Sequence, residues 1–233
     1  MEKTSFMAWI LGIVFLAGVG VMGYQMLHKD GNAEIADLKD FPESVQKAQK
    51  DIALHYTGSR VIGQESAPVT VINVSSLSCP HCADFFKDIL PQIKKDYVDT
   101  GKIKLAIREV AADQASMMAL SLVTCAAPEK YDEAVMLLYQ NQRDWLLSHE
   151  PRVKLKGYAE QLGLSDQDFE ACMANSDLKD KVSKTTFGTL KELNIVHTPT
   201  LIVQGTDKRL EGTKSYETFK KFLDEGIAGE KKE

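Results

Sequence analysis

The sequence is short of the features that mark several common classes of protein. It has only four cysteines in 233 residues, too few for a small domain held together mainly by disulfides. It has no excess of positive charge, since its net charge is −5, and therefore gives no electrostatic basis for nucleic-acid binding. Its content of 44% hydrophobic and 26% charged residues argues against disorder and fits one folded domain with or without an appendage.

One segment lacks charged residues altogether. Residues 4–27 form an uncharged, largely apolar run of 24 residues, and about 20 are enough to cross a bilayer core as a helix. Trp9 and Tyr24 lie near its two ends, where aromatic rings favour the membrane interface. We predict a cytoplasmic tip at 1–5 and an uncleaved transmembrane anchor at 6–27. The alternative is a cleaved signal peptide, whose apolar region is shorter, about 7–15 residues.

A polar segment separates the predicted anchor from the folded domain. Residues 28–59 are rich in charge and carry apolar residues at helical spacing, with Pro42 as an interruption. The pattern predicts a partly helical linker between membrane and domain. The alternative is a helix for self-association.

The folded domain, predicted over 60–229, opens with a strand, a helix and a second strand. Val69–Ser75 is rich in β-branched residues and follows Pro68, which is typical of a strand. A helical pattern begins at Cys79, and residues 103–110 form the next strand. A βαβ unit of this length predicts a parallel strand pair with a right-handed crossover.

The rest of the domain is predicted to be a helical insertion followed by a hairpin. Residues from about 113 to 193 are rich in Ala, Leu, Met, Lys and Glu and carry several helical periods, with Ser165 as a helix N-cap. Short strands at 200–204 and 208–211 and a closing helix at 216–222 complete the pattern. The predicted fold class is α/β.

The residues with the clearest chemistry are Cys79 and Cys82, spaced CxxC at the junction of strand and helix. The unpaired N–H groups and dipole of a helix N-terminus favour negative charge, and this lowers the pKa of a thiol. We expect Cys79 to be the exposed, attacking sulfur and Cys82, one turn later, to be the resolving one. Pro80 suits the first helical position, and His81 would further stabilise the Cys79 thiolate.

Two other interpretations of the CxxC pair remain open on the sequence alone. Half of a structural zinc site would need about two more ligands of suitable spacing, and Cys125 and Cys172 are single and far apart. The second interpretation is that Cys79 and Cys82 form an inert structural disulfide. We predict no metal and no cofactor.

Three features of the sequence occur together. They are the motif Cys79-Pro-His-Cys82 after a strand, a long helical insertion, and the segment Val196-His-Thr-Pro-Thr200 before the third strand. In combination they resemble the DsbA family of thiol–disulfide oxidoreductases. Two further segments are similar to that family, the sequence around Gly63–Pro68 and the run Gln142-Arg-Asp-Trp145. The resemblance covers about residues 60–225 and implies a thioredoxin fold with an inserted helical domain.

The resemblance implies a cis peptide bond before Pro199, in a loop that faces the CxxC motif. In this family the residue before that proline, here Thr198, presents its backbone to the substrate as a short strand pairing. Threonine at this position departs from the valine of the best-known DsbA proteins and is more like the isomerase DsbC. The balance between oxidase and isomerase therefore stays open.

The first strand also departs from the family pattern. The best-known members carry a buried acid six residues before the first cysteine, which assists proton transfer, and this chain has Asn73 there. Proton transfer would then go through water or through another acid, such as Glu109.

Cys125 and Cys172 lie in the helical insertion. They are either two buried free thiols or a structural disulfide, and an oxidising compartment favours the disulfide. Some DsbA-like proteins with similar insertions also have a second disulfide.

The predicted function is a thiol:disulfide oxidoreductase that introduces disulfides into exported proteins through Cys79 and Cys82. The expected partners are reduced exported polypeptides, a DsbB-like membrane oxidase for reoxidation, and the inner (cytoplasmic) membrane, with the domain facing the periplasm. The alternatives are an isomerase or reductase of the same fold, or an anchored chaperone or binding module without catalysis.

Overall fold

A five-stranded sheet forms the centre of the protein, in a computed structural model that describes residues 37–55 and 57–230. The strands are β1 (Arg60–Ile62), β2 (Val69–Ser75), β3 (Ile103–Glu109), β4 (Thr200–Val203) and β5 (Arg209–Glu211). They lie in the order β1-β3-β2-β4-β5. Strands β2 and β3 are parallel, as the βαβ pattern predicts, and every other neighbouring pair is antiparallel.

Strand β1 is not expected from the sequence. It has only three residues, which is too short to show the alternation by which a strand is recognised. It lies at the edge of the sheet and pairs with β3 alone, and Val61 at its centre is 56% exposed. Its backbone hydrogen bonds, rather than a hydrophobic pattern, hold it in place.

A long helical run, α2, follows β2 and begins directly after Cys79. It consists of four consecutive segments, Pro80–Asp84, Phe85–Ile89, Leu90–Ile93 and Lys94–Val98. The second segment is a wide π turn that ends two residues before Pro91, and there the Leu90 N–H bonds to the Phe85 carbonyl. Because proline lacks an N–H and its ring clashes with the carbonyl four residues earlier in a regular α-helix, a wider turn accommodates it.

The apolar face of α2 packs into the main core of the domain. The buried residues on this face recur at helical spacing, and they are Phe85, Phe86, Ile89, Ile93 and Tyr97. The closing helix, α9 (Tyr216–Glu230), covers the same side of the sheet, and its Phe219 ring lies 5.3 Å from the ring of Phe85.

Six α-helices and one short 3₁₀ helix (Pro128–Lys130) fill the chain between β3 and β4. The α-helices are α3 (Gln114–Cys125), α4 (Tyr131–Gln140), α5 (Gln142–Leu146), α6 (Pro151–Gln161), α7 (Asp166–Ala174) and α8 (Ser176–Glu192). Asp113 caps α3 by accepting the Ser116 N–H, and Ser165 caps α7 by accepting the Asp168 N–H. The main core continues without interruption from the sheet and α2 into this block. The opposite face of the sheet carries a smaller cluster, which packs against the end of α8.

Part of the predicted linker packs onto the helical block. Helix α1 (Glu43–His55) buries Gln49 and Ala53. The Asn175 side-chain amide donates to the Gln49 carbonyl at 2.8 Å and to its side-chain oxygen at 3.1 Å. These contacts join α1 to the N-terminus of α8, which Asn175 caps.

The predicted membrane segment cannot be compared with the structure. The cytoplasmic tip at 1–5 and the anchor at 6–27 lie outside the described residues. Within 37–55 and 57–230, no helix has the length and apolar character that a bilayer crossing needs.

A disulfide joins two helices of the block. Cys125, at the end of α3, is bonded to Cys172 in α7, across 47 positions of the sequence. Cys172 is fully buried, and its sulfur lies 3.2 Å from the Ser121 carbonyl of α3. The bond therefore ties α7 to α3 inside the main core.

Replacing both Cys125 and Cys172 by alanine should lower the free energy of unfolding by roughly 2–4 kcal/mol, because the unfolded chain regains the freedom that the closed loop removes. Urea unfolding of the oxidised proteins measures this difference. In excess reductant the two proteins should unfold at similar urea concentrations. Equal midpoints under oxidising conditions would contradict the prediction.

Candidate active site

Cys79 and Cys82 lie at the start of α2 in two different environments. Cys79 is the N-cap residue, with an extended backbone (φ −82°, ψ 119°), and Pro80 takes the first helical position. Cys79 is half-buried, whereas Cys82 is fully buried, and both are free thiols in this structure. A reaction partner can therefore reach the first sulfur but not the second.

The surroundings of Cys79 favour its thiolate. A hydrogen bond from the Cys82 thiol lowers the pKa of Cys79 most, and burial opposes this effect. The Thr198 side chain and the backbone N–H groups of Cys82 and His81 lower it further, so that the pKa falls from 9.0 to about 5. At neutral pH the sulfur of Cys79 is an anion and a good leaving group.

Cys82 behaves in the opposite way. Burial raises the pKa of its thiol above the ordinary range, and the hydrogen bond to Cys79 and the negative charge of that sulfur raise it further. The Ser76 N–H, 3.5 Å from the sulfur, acts in the other direction. Reduced Cys82 therefore holds its proton at neutral pH.

The loop before β4 lies against the reactive sulfur. The Thr198–Pro199 peptide bond is cis, and the Thr198 carbonyl oxygen lies 3.4 Å from the Cys79 sulfur. The Gly212 N–H donates to the Pro199 carbonyl at 2.8 Å, which holds the loop against the end of β5. Both residues that the resemblance assigns to the substrate groove, Thr198 and Pro199, thus lie beside the reactive cysteine.

His81 contributes less directly than the sequence suggests. Its side chain is exposed, and it acts on Cys79 through its backbone N–H. Its carbonyl accepts a hydrogen bond of 3.1 Å from the Thr213 hydroxyl, which fixes the first turn of α2. In the part of the chain that the structure describes, no group of three or more His, Cys, Asp or Glu side chains is arranged to hold a metal ion.

The helical block supplies a residue whose role the sequence did not reveal. Gln142 is 4% exposed, and its side-chain amide donates to the carbonyls of Leu77 (2.8 Å) and Cys79 (2.9 Å). The run Gln142-Arg-Asp-Trp145 was part of the family resemblance, but its position gives no hint of this contact. Gln142 binds the CxxC loop to the insertion.

A buried acid lies beneath the two cysteines. Glu109, at the end of β3, is 3% exposed, and the Tyr139 hydroxyl lies 3.0 and 2.9 Å from its two carboxylate oxygens. Burial raises the pKa of Glu109 from 4.5 to about 8; the Tyr139 hydrogen bond lowers it, and the charge of Cys79 adds to the rise. Tyr139, from α4, is fully buried and was not singled out by any signal in the sequence.

Asn73 is buried on β2, the strand next to Glu109. Its side-chain oxygen accepts a hydrogen bond of 2.8 Å from the Ser75 hydroxyl. Within the described residues its side-chain nitrogen has no hydrogen-bond partner. The position therefore holds a neutral amide, whereas Glu109 is an acid that interacts electrostatically with both cysteines.

Comparison with known proteins places this geometry in a family. The family model described as Thioredoxin matches residues 56–225. The chain belongs to the thioredoxin family.

Relatives and solved structures agree with this assignment. The chain is 27% identical over 184 residues to disulfide bond formation protein D of Bacillus subtilis, covering 74% of this chain and 78% of the relative. It is 26% identical over 172 residues to a protein of Rickettsia conorii whose name assigns it to the protein-disulfide oxidoreductases. That match covers 73% of this chain and spans 61% of the relative's length.

Two solved structures share the fold. The crystal structure of alpha-DsbA1 from Wolbachia pipientis has a TM-score of 0.66 at 22% identity, covering 75% of this chain and 94% of the other. Oxidised BdbD from Bacillus subtilis has a TM-score of 0.64 at 24% identity, covering 73% and 94%.

Alkylation of reduced Cys79 should follow a titration with a midpoint near pH 5, because only the thiolate reacts. Rapid-quench iodoacetamide labelling with mass spectrometry measures it, and Cys82 should stay unlabelled in the folded protein. A midpoint above 8 would contradict the electrostatic argument.

The same shift predicts how stability depends on pH. Because the folded-state pKa of Cys79 lies below the unfolded value near 9, its contribution to the stability of the reduced protein is full above pH 9 and is lost as the pH falls towards 5.

Proposed function

We propose that this protein introduces disulfides into exported polypeptides by thiol–disulfide exchange at Cys79 and Cys82. The observation that carries the proposal is the unequal state of the two thiols, one half-buried and ionised, the other fully buried and protonated. Stabilising the Cys79 thiolate stabilises the reduced form, so the oxidised form is the stronger oxidant. This favours an oxidase over a reductase. The names of the relatives support the same activity.

The reaction begins with the Cys79–Cys82 disulfide. A substrate thiolate attacks the Cys79 sulfur, a new disulfide forms between substrate and Cys79, and Cys82 leaves with the electron pair. A second substrate thiolate then attacks the substrate sulfur of this mixed disulfide, and Cys79 leaves as a thiolate. The substrate loses two electrons and gains a disulfide, and the protein gains both electrons as a dithiol.

The first step suits the geometry around Cys79. The Thr198 backbone lies beside the reactive sulfur, and an extended substrate segment can pair with it as a short strand. In the second step Cys79 is the leaving group, and a thiol of low pKa leaves faster. Stabilisation of the Cys79 thiolate therefore favours reduction of the protein by the substrate, and it also speeds the step that releases the oxidised substrate.

The setting of the reaction is part of the proposal. The uncharged run at residues 4–27 supports an anchor in the cytoplasmic membrane with the domain on its oxidising, periplasmic side. The Cys125–Cys172 disulfide fits such a compartment. A DsbB-like membrane oxidase would accept the two electrons and restore the Cys79–Cys82 disulfide.

The variant Cys82→Ser should accumulate the mixed disulfide between Cys79 and substrate. Without Cys82, the protein cannot release the substrate by re-forming its own disulfide. Non-reducing electrophoresis after incubation of the reduced variant with a disulfide-containing client should show the adduct, because the Cys79 thiolate attacks the client disulfide and one client sulfur leaves as a thiolate. Cys79→Ser should form no adduct and should have no oxidase activity. An adduct with the Cys79→Ser variant, or full activity without Cys79, would refute the proposed function.

We further propose that Glu109 supplies the proton for Cys82 when the disulfide is reduced. Cys82 leaves the first step as a buried thiolate, and burial makes that state unfavourable. With a pKa of about 8, Glu109 is mostly protonated at neutral pH and can pass its proton to Cys82 directly or through one water. The Tyr139 hydroxyl, bonded to both carboxylate oxygens, holds the carboxyl group in place.

Glu109→Gln should slow the reaction of the oxidised protein with substrate at pH 7 by about tenfold or more. The substituted glutamine side chain would still accept from Tyr139 but could not supply a proton, so the Cys79 alkylation profile should keep a midpoint near 5. Stopped-flow kinetics across pH 5–9 measures the rate.

The stability profile gives a second readout for the same variant. Because the folded-state pKa of Glu109 lies above its unfolded value, its burial lowers the stability of the wild type progressively from pH 4.5 to about 8. That decline should be absent in Glu109→Gln. Unchanged kinetics together with an unchanged stability profile would remove Glu109 from the mechanism.

A further inference from the structure

A cleft lies between α2 and the helical block, next to the reactive cysteine. It has a volume of about 570 Å³. One wall is the outer side of α2, with Pro80, Asp84 and Lys87, and the other carries Arg143 and Leu147, in and just after α5. Clefts of this size hold small ligands or a few residues of a peptide.

The inner end of this cleft reaches the backbone of the CxxC motif. Gln142, which lines the cleft, donates to the Cys79 carbonyl at 2.9 Å, and Pro80 directly follows Cys79 in the chain. On its other side, the Cys79 sulfur lies 3.4 Å from the Thr198 carbonyl. Cys79 therefore stands between the cis-proline loop and the cleft.

A substrate bonded to Cys79 extends in two directions from its own cysteine. One arm can pair with the backbone at Thr198, as the proposed function requires. The other arm can leave on the side of Pro80, which lines the cleft, and can enter it. Because an extended chain advances about 3.3 Å per residue, the side chains in the cleft belong to residues only a few positions from the reactive cysteine.

The charges along the cleft are unevenly compensated. Asp84 pairs with Lys87 at 3.8 Å, and Asp144 accepts from Lys154 at 2.9 Å and from Tyr158 at 2.8 Å. The side chain of Arg143 is exposed and forms no ion pair or hydrogen bond with any other described residue. The cleft thus presents one free guanidinium.

Leu147 adds an apolar contact to the same wall. It is 72% exposed, and it lies one turn of chain from Arg143. A free cation beside an exposed apolar side chain complements a polypeptide segment that carries an acidic residue among apolar ones.

We propose that this cleft is a substrate subsite that binds the segment flanking the reactive cysteine and favours an acidic side chain opposite Arg143. The inference rests on the proposed function, because it assumes that a polypeptide bonds to Cys79. It assigns a specificity role to the helical block, through a residue that takes no part in the chemistry.

The test compares short peptides that contain one cysteine and differ only in a glutamate or a glutamine, placed at each position within four residues on either side. The measured quantity is the rate at which each peptide forms a mixed disulfide with the oxidised protein, followed by acid quench and mass spectrometry. At one or more positions the wild type should prefer glutamate, and Arg143→Glu should reduce that preference by about fivefold. Arg143→Gln, which removes the positive charge without adding a negative one, should reduce the preference for glutamate by about twofold.

Lys95→Glu is the matched control, since it makes the same change of charge at an exposed position near the far end of α2. It should leave the preference for glutamate unchanged. An equal preference in wild type and Arg143→Glu at every position, or an equal loss in the control, would overturn the subsite. If the wild type reacted with none of the peptides, the proposed function itself would fail, whereas reaction with all of them at equal rates would overturn only the subsite.

Discussion

The active site depends on a difference in solvation between two sulfurs one helical turn apart. Cys79 lies where the N–H groups of a new helix converge, while Cys82 lies inside the core. The hydrogen bond between the two sulfurs increases the difference, because it lowers the pKa of the acceptor and raises that of the donor. If the helix began one residue later, the backbone N–H groups of His81 and Cys82 that lower the pKa of Cys79 would no longer converge on its sulfur. The start of α2, fixed by Pro80 and the end of β2, therefore governs the chemistry.

The helical block belongs to the active site as much as the sheet does. Gln142 holds two carbonyls of the CxxC loop, and Asp113, which caps α3, accepts a hydrogen bond of 2.7 Å from the Ser78 hydroxyl. Tyr139 stacks on Phe86 of α2 at 4.2 Å and bonds to Glu109. These contacts fix the loop and the acid from the same side. A change in the packing of the helical block would therefore alter the surroundings of the two sulfurs through these direct contacts.

The sequence predicted best where a physical pattern is local. The β-branched run of β2, the apolar spacing of α2 and the CxxC position each follow from residues near one another in the chain, and the structure shows all three. Strand β1 is not predicted by the sequence, because three residues are too few to show an alternating pattern. The contacts of Gln142 and Tyr139 are not predicted either, because they join residues 30 to 65 positions apart. Local spacing in the sequence does not show which distant residues come into contact.

The position of the buried acid follows from the register of the parallel strands. Ser75 on β2 is the partner of Glu109 on β3, and Asn73 is the partner of Ile107. Because partners in register point to the same face, and side chains two residues apart do so as well, Asn73 and Glu109 share the face that α2 covers. An acid on β3 can therefore reach the same part of the core as an acid at position 73. Two carboxyl groups on this face would disfavour each other's ionised form, and the neutral amide of Asn73 leaves Glu109 as the acid beneath the cysteines, bonded to the Tyr139 hydroxyl.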